Sequence, residues 1–400
     1  MGGLLKMSKG LLTAGTLGVL ITIVSGCFRI SGRTLPNAIP ERPEAMQRYY
    51  APRESYGSHR EEIRERTKSY TLRHITIDSY AGPIIIDYYQ GSKRSNSLVL
   101  VFPVLGGKNF IENHFARYFA ESGLDAAIVN RNNEFKDPNR FGELEQLLRE
   151  NVLRDRLALD FFEVEYGKTQ FGSFGISRGA INVALTAGVD SRLQHNVLAM
   201  GGTDLVNLFR DSKQARIEKY IKKVSANRGY SRDQFFGHLR EQIRTDPKFT
   251  AHYMDPSKTL LILGVFDRTV PFAYGLKLRE QIGRPDTIFL FSDHYVSLAY
   301  TQTISLVPPS KKKSGLFPFP YIEQEAISFF RRSFGEGTNW KALPFKALML
   351  PINVVAELFA GVGTLVEWMG GKKIEKSPPS VAELTNWQHA EDTSSDLDDA

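Results

Sequence analysis

Thr169-Gln-Phe-Gly-Ser-Phe-Gly-Ile-Ser177-Arg-Gly-Ala-Ile-Asn-Val-Ala-Leu185 decides the reading of this chain. An apolar, β-prone run ends at Gly175-Ile-Ser177-Arg-Gly179, and the helix-compatible segment Ala180 to Ala187 follows at once. The stretch therefore predicts strand, tight turn and helix, with a serine at the apex. Glycines two residues either side of Ser177 remove Cβ atoms that would collide with a strained apical residue and with the packed helix. Helix propagation begins just past Ser177, so backbone N–H groups and the positive end of the helix dipole lie where an oxyanion can be held. The plainer alternative is a Gly-rich turn that happens to contain a serine.

The pattern resembles the nucleophile elbow of the α/β-hydrolase family, which requires a strand before the serine and a helix after it. Two later stretches are similar to the same family at matching points. Thr259-Leu-Leu-Ile-Leu-Gly-Val265 reads as a buried strand and runs into Phe266-Asp267-Arg-Thr-Val270-Pro271. Asp286-Thr-Ile-Phe-Leu-Phe291 reads as another and runs into Ser292-Asp293-His294. The chain order serine, aspartate, histidine is also the family's. The resemblance covers about residues 70 to 335 and implies a catalytic triad of Ser177, Asp267 and His294.

The chemistry explains these residue types. A serine hydroxyl is a poor nucleophile until a base takes its proton; imidazole does so near neutral pH, and a carboxylate fixes its tautomer and offsets its developing charge. Two other acids compete for the third position. Asp293 adjoins the histidine, although sequence neighbours rarely face one another correctly, and Asp204 follows Gly201-Gly-Thr after a strand. His74, His114, His195, His238 and His252 read as structural or exposed.

Ser97-Leu-Val-Leu-Val-Phe102 is apolar at consecutive positions and reads as a parallel strand covered on both faces. It ends in Pro103-Val-Leu-Gly-Gly107, where the family commonly has His-Gly-x-Gly. By position, the backbone N–H of Leu105 pairs with that of Arg178 as the expected oxyanion hole, although Pro103 and Val104 depart from the family pattern. The Arg178 side chain can meet an anionic acyl group; an exposed place on the elbow helix is the commoner explanation.

Around these motifs, Thr71–Ile77 and Pro83–Tyr89 predict an antiparallel hairpin. Asn109–Glu121, Leu124–Asn130, Gly142–Tyr166 and Asn196–Met200 continue an alternation of helix and strand. That alternation argues for an α/β fold, a doubly wound and mostly parallel sheet with its site at the strands' carboxyl ends. Residues 203–257 interrupt it with helical patterns, read as a cap above the site. Tyr321–Phe334 reads as the last helix of a hydrolase domain spanning 69–335. A C-terminal extension, 336–376, follows, and an acidic tail, 377–400, is expected to be disordered. Within the extension Pro351–Gly370 is apolar with one polar stripe, Asn353, Glu357, Thr364 and Glu367, read as a helix packed on the domain, with a helix lying on a membrane as the alternative.

The 400 residues carry a net charge of +7, but the basic residues are interspersed with acidic ones, and no nucleic-acid, P-loop or zinc-ligand motif is present. Neither a metal nor an organic cofactor is expected. The single cysteine, Cys27, follows a basic start, an apolar run Leu11–Val24 and Val24-Ser25-Gly26. This resembles a bacterial lipobox, which implies a signal peptide over 1–26, lipid attachment at Cys27 and a tether over 27–68. An uncleaved single-span anchor is the alternative. Phe28 in place of Asp implies, by the same resemblance, the outer membrane where the host has one. The expected partners are an ester substrate, lipid esters included, and a membrane through the N-terminal anchor. The expected activity is ester hydrolysis by an acyl-enzyme route. A non-catalytic binding scaffold and a peptidase or amidase on the same fold are the alternatives.

Overall fold

Runs of consecutive apolar residues become the centre of a nine-stranded sheet. The computed structural model describes residues 39–105, 110–131, 133–302 and 319–369. The expected signal peptide, lipid attachment at Cys27 and acidic tail lie outside the described residues.

In chain order the elements are α1 (Glu44–Tyr49), β1 (His59–Arg66), β2 (Tyr70–Ile77), β3 (Ile84–Gly91), β4 (Ser97–Phe102), α2 (Phe110–Glu121) and β5 (Ala126–Val129). Then come α3 (Leu144–Tyr166), β6 (Gln170–Ile176), α4 (Arg178–Val189) and β7 (Leu193–Ala199). The insertion contributes α5 (Leu205–Asp211), α6 (Ala215–Arg228), α7 (Arg232–Gln242) and α8 (Pro247–Thr250). The chain closes with β8 (Thr259–Gly264), α9 (Phe272–Ile282), β9 (Asp286–Leu290), α10 (Tyr321–Ser333) and α11 (Leu343–Met369).

The spatial order is β1-β2-β3-β5-β4-β6-β7-β8-β9. β1, β2, β3 and β5 pair antiparallel in turn, and β5 through β9 pair in parallel. β4 and β8 are buried at every position, as strands covered on both faces must be. On one face Phe115 and Phe119 of α2 and Phe330 of α10 close over Phe174. On the other, Leu157, Phe161 and Phe162 of α3 and Val183 and Ala184 of α4 pack against Ile84, Leu98 and Leu100. The parallel strands thus end at one edge, where the loops after β4, β6, β8 and β9 carry the predicted site residues.

The tether boundary expected at residue 68 lies further back. β1 is exposed at all eight positions, so its sequence, His-Arg-Glu-Glu-Ile-Arg-Glu-Arg, lacks any apolar alternation. Its backbone pairing with β2 holds it, and its charges suit an edge strand that must not recruit another chain. Before it, Met46, Tyr49 and Tyr50 are buried against the domain, and Arg42 donates to the Gly188 carbonyl at 2.7 Å.

α11 also departs from expectation in the way it packs. Met349, Asn353, Ala356 and Ala360 are buried, with Asn353 Nδ2 donating to the Tyr321 hydroxyl at 2.6 Å. The inner stripe is therefore small or polar, while Leu348, Ile352, Val355, Leu358 and Phe359 face outward.

Candidate active site

Ser177 sits between β6 and α4 with φ 57° and ψ −121°, a left-side backbone conformation that non-glycine residues avoid. The surroundings hold it there. The Ser177 N–H donates to the Ala199 carbonyl at 2.8 Å, tying the apex to β7. A Cβ on Gly175 would lie 2.3 Å from the Gly179 carbonyl carbon, and one on Gly179 would lie 2.3 Å from the Phe102 carbonyl oxygen. Both glycines are required because helix and strands approach to backbone contact.

The loop after β9 brings His294 over the serine. Its Nε2 lies 2.9 Å from Ser177 Oγ, and its Nδ1 lies 2.6 Å from Asp267 Oδ2. Asp267 is buried, and its other oxygen accepts the Thr269 and Val270 N–H groups at 2.8 and 3.0 Å. Each carboxylate oxygen thus has its own task, one fixing the turn after β8 and the other receiving the imidazole. The arrangement can take a proton from the hydroxyl and hold the imidazolium formed.

The competing acids are engaged elsewhere. Asp293 Oδ1 accepts the Tyr295 and Val296 N–H groups, each at 2.8 Å, and so caps the turn that presents His294. Asp204 is held by Lys277 at 2.8 Å and by Asn207, which together pull its carboxyl below the usual range against the cost of burial. His74 pairs with Asp87 at 2.7 Å, and His114 with Glu323 at 2.8 Å. His195 stacks edge-on against Phe334, and burial pushes both it and His252 down. His238 lies over Tyr230. Among the described residues no group of three or more His, Cys, Asp or Glu side chains could hold a metal ion.

The loop after β4 is fixed by two side chains that sequence reasoning missed. The Val104 N–H is occupied by Glu112 of α2, and Lys136 Nζ donates to the Leu105 carbonyl at 2.8 Å. The Val104 amide is therefore spoken for, which is consistent with the expected role of Leu105; Gly106 and Gly107 lie outside the described residues. Burial holds the Glu112 carboxyl above its ordinary range despite that hydrogen bond. The sequence shows only that Glu112 shares a helical face with Phe115, Ala116 and Phe119, all buried, and not that Val104 meets it.

Arg178 does not occupy an exposed surface. Its guanidinium lies 3.9 Å over the Phe135 ring, and its Nη1 and Nη2 are sealed from solvent with no hydrogen-bond partner among the described residues. Burial, with Arg131 adding to it, pushes the group down to about 9.

The insertion lies against both catalytic loops. Ser212 Oγ donates to the Thr269 carbonyl at 2.6 Å, Lys213 N–H to the Arg268 carbonyl at 2.9 Å, and Gln214 Nε2 to the Tyr295 hydroxyl at 2.9 Å. On the opposite rim Phe266, Phe291 and Phe359 of α11 meet with ring centroids 4.7 to 6.0 Å apart. The apolar outer face of α11 therefore runs into the loops bearing Asp267 and His294.

Neither a protein-family model nor a curated protein matches the sequence. Among solved structures, the chain is similar to a cold-adapted esterase from an Arctic intertidal metagenomic library, at 17% identity over 62% of this chain and 93% of that one, with a TM-score of 0.40. It is similar to an acetyl xylan esterase from Paenibacillus sp. R4, at 16% identity over 63% of this chain and 86% of that one, with a TM-score of 0.47. It is also similar to the acylaminoacyl peptidase of Pyrococcus horikoshii, at 16% identity and a TM-score of 0.43, covering 58% of this chain and 39% of the peptidase. The mostly parallel nine-stranded sheet, covered by helices on both faces and carrying a serine at a strand-to-helix elbow, gives this chain the α/β-hydrolase fold.

Proposed function

We propose that the protein is a membrane-anchored serine hydrolase that cleaves carboxylic esters through an acyl-enzyme. The observation that carries this reading is the unbroken chain from Asp267 Oδ2 through His294 to Ser177 Oγ, assembled from three separate loops at one sheet edge. In the first half-reaction Ser177 Oγ attacks the ester carbonyl carbon as His294 Nε2 takes its proton. The tetrahedral oxyanion is met by the Arg178 and Leu105 amides, each worth about 3 kcal/mol at the transition state. The C–O bond breaks, the alcohol leaves with the proton from His294, and Ser177 keeps the acyl group. Water then attacks the acyl carbon, giving its proton to His294, and the carboxylic acid departs as the proton returns to Ser177.

The anchoring part rests on the lipobox-like Val24-Ser25-Gly26-Cys27 and on the outward face of α11. The helical segment Trp340–Gly361 as a whole has the length and apolar composition of a membrane span, and only 22% of it is buried. Its inner stripe packs on the domain, so the helix is read as lying along the lipid surface with the active-site rim beside it.

The test is a panel of p-nitrophenyl esters of increasing chain length, assayed beside peptide p-nitroanilides, for the full chain and for Ser177→Ala. Ester turnover lost in Ser177→Ala supports the reading. Turnover of the anilides alone assigns an amidase, and turnover unchanged in Ser177→Ala removes the proposed mechanism.

A further inference from the structure

The side chain that follows the nucleophile is used by nothing in the mechanism above. Only the Arg178 backbone N–H is, whereas its two Nη atoms are sealed and have no partner among the described residues. An unpaired buried cation is costly, and folded proteins keep one where a ligand supplies the missing charge. The nearest carboxylate acting on it, Asp155, is already taken: Arg131 holds both its oxygens at 2.7 and 2.9 Å, and Thr186 donates to it at 2.9 Å.

A second unpaired cation lies beside it. Lys136, on the 3-10 turn Glu134–Lys136, uses one proton on the Leu105 carbonyl, and its Nζ lies 5.7 Å from the centroid of the Phe135 ring on which Arg178 stacks. Burial, then the charges of Arg178 and Arg216, push its ammonium down to about 8. Phe135, stacked on the Arg178 guanidinium, belongs to the same short turn. Two positive groups thus meet around one aromatic ring, between the elbow and the loop after β4.

We propose that Arg178 and Lys136 form an anion subsite next to Ser177, so that the preferred substrate is an ester bearing a carboxylate or phosphate close to the scissile bond. The anion displaces the Phe135 ring, takes the fork of Arg178 in two parallel hydrogen bonds, and receives a third from Lys136. The ester part of this inference rests on the proposed hydrolase activity, whereas the anion site itself does not.

The test has two readouts. In the first, melting of the full chain is followed with and without inorganic phosphate or succinate. The anions raise the Tm of the wild type, and the shift is lost in Arg178→Met and reduced in Lys136→Met. Arg178→Met by itself, without anion, melts at or above the wild-type temperature because it removes an unpaired buried charge. In the second, kcat/KM is compared within each protein for p-nitrophenyl hemisuccinate against p-nitrophenyl butyrate, which places the charge in the acyl part. 4-Acetoxybenzoate against phenyl acetate places it in the leaving group. One anionic ester of the two is preferred by the wild type, and that ratio falls about tenfold or more in Arg178→Met, the scale of one charge-assisted hydrogen bond. Anion-dependent melting with no ester turnover would leave the subsite standing and remove the ester reading. Turnover of neutral esters with no anion shift and no change of ratio in either variant would overturn the subsite and leave the hydrolase. If Arg178→Met does not fold, Lys136→Met alone decides, since among the described residues its side chain meets the loop through the Leu105 carbonyl.

Discussion

At the scale of single residues, the site is a division of labour between atoms. Asp267 spends one oxygen on its own turn and one on His294, so it cannot swing away from the imidazole without breaking two backbone hydrogen bonds. Asp267→Asn keeps the shape but favours the wrong imidazole tautomer, and kcat for a p-nitrophenyl ester is expected to fall by about 10⁴-fold with the Tm little changed. Lys136 gives a pH signature. Its folded-state value, about 8, lies below the ordinary lysine value of 10.5, so between these the unfolded chain binds more protons than the folded one. Stability from this group is therefore missing below about pH 8 and recovered as pH rises towards 10.5. Chemical denaturation across that window should show the wild type gaining stability relative to Lys136→Met; parallel curves would contradict the sign. The nucleophile was legible because Gly175, Ser177 and Gly179 act locally, each through its own backbone or Cβ. Glu112 and the buried fork of Arg178 were not, because their roles are set by chains far away in sequence, at Val104 and Phe135.

Among the elements, the elbow is the least tolerant of change. Gly179→Ala would force a Cβ to 2.3 Å from the Phe102 carbonyl oxygen, a backbone atom that cannot turn aside. The expected loss is about 3 kcal/mol of stability by urea denaturation, together with ester turnover, since helix α4 must back away from β4. At the other end of the strands, Asp125 is buried against Lys168, the Tyr88 hydroxyl at 2.6 Å and the Gly91 N–H at 2.8 Å. Asp125→Ala leaves a lysine charge sealed without its partner, so a loss of about 3–5 kcal/mol is expected in the same measurement with the triad unaltered. The parallel strands could be read from sequence because continuous apolar runs have few other uses. β1 could not, since all eight of its residues are exposed and carry no apolar alternation.

For the whole molecule, the N-terminal segment is more fixed than its composition implied. Glu145 at the start of α3 accepts the Tyr49 hydroxyl at 2.6 Å and the Thr245 N–H and hydroxyl, joining the segment, the core and the insertion. With Arg42 docked on Gly188, only about 15 residues separate Cys27 from the domain, a reach of at most about 50 Å. With the lipid proposed at Cys27, a domain held that close to a bilayer can lay the outer face of α11 on it. Leu348 and Leu358, 62% and 65% exposed, carry no packing that a charge would disturb. The double variant Leu348→Glu/Leu358→Glu should therefore hydrolyse a soluble short-chain ester at the wild-type rate, but lose several-fold on a long-chain ester presented in phosphatidylglycerol vesicles. Equal loss on both substrates would assign α11 to the fold alone. The composition of α11 announced a stripe, but not that its polar side would turn inward to meet Tyr321.

The central claim is that His294 and Asp267 activate Ser177, and fluorophosphonate labelling read by mass spectrometry of the digested full chain tests it most directly. One adduct per chain on Ser177, abolished in His294→Ala while the variant stays folded, is the predicted result. A folded wild-type protein that takes no label, or takes it at another residue, would contradict the account.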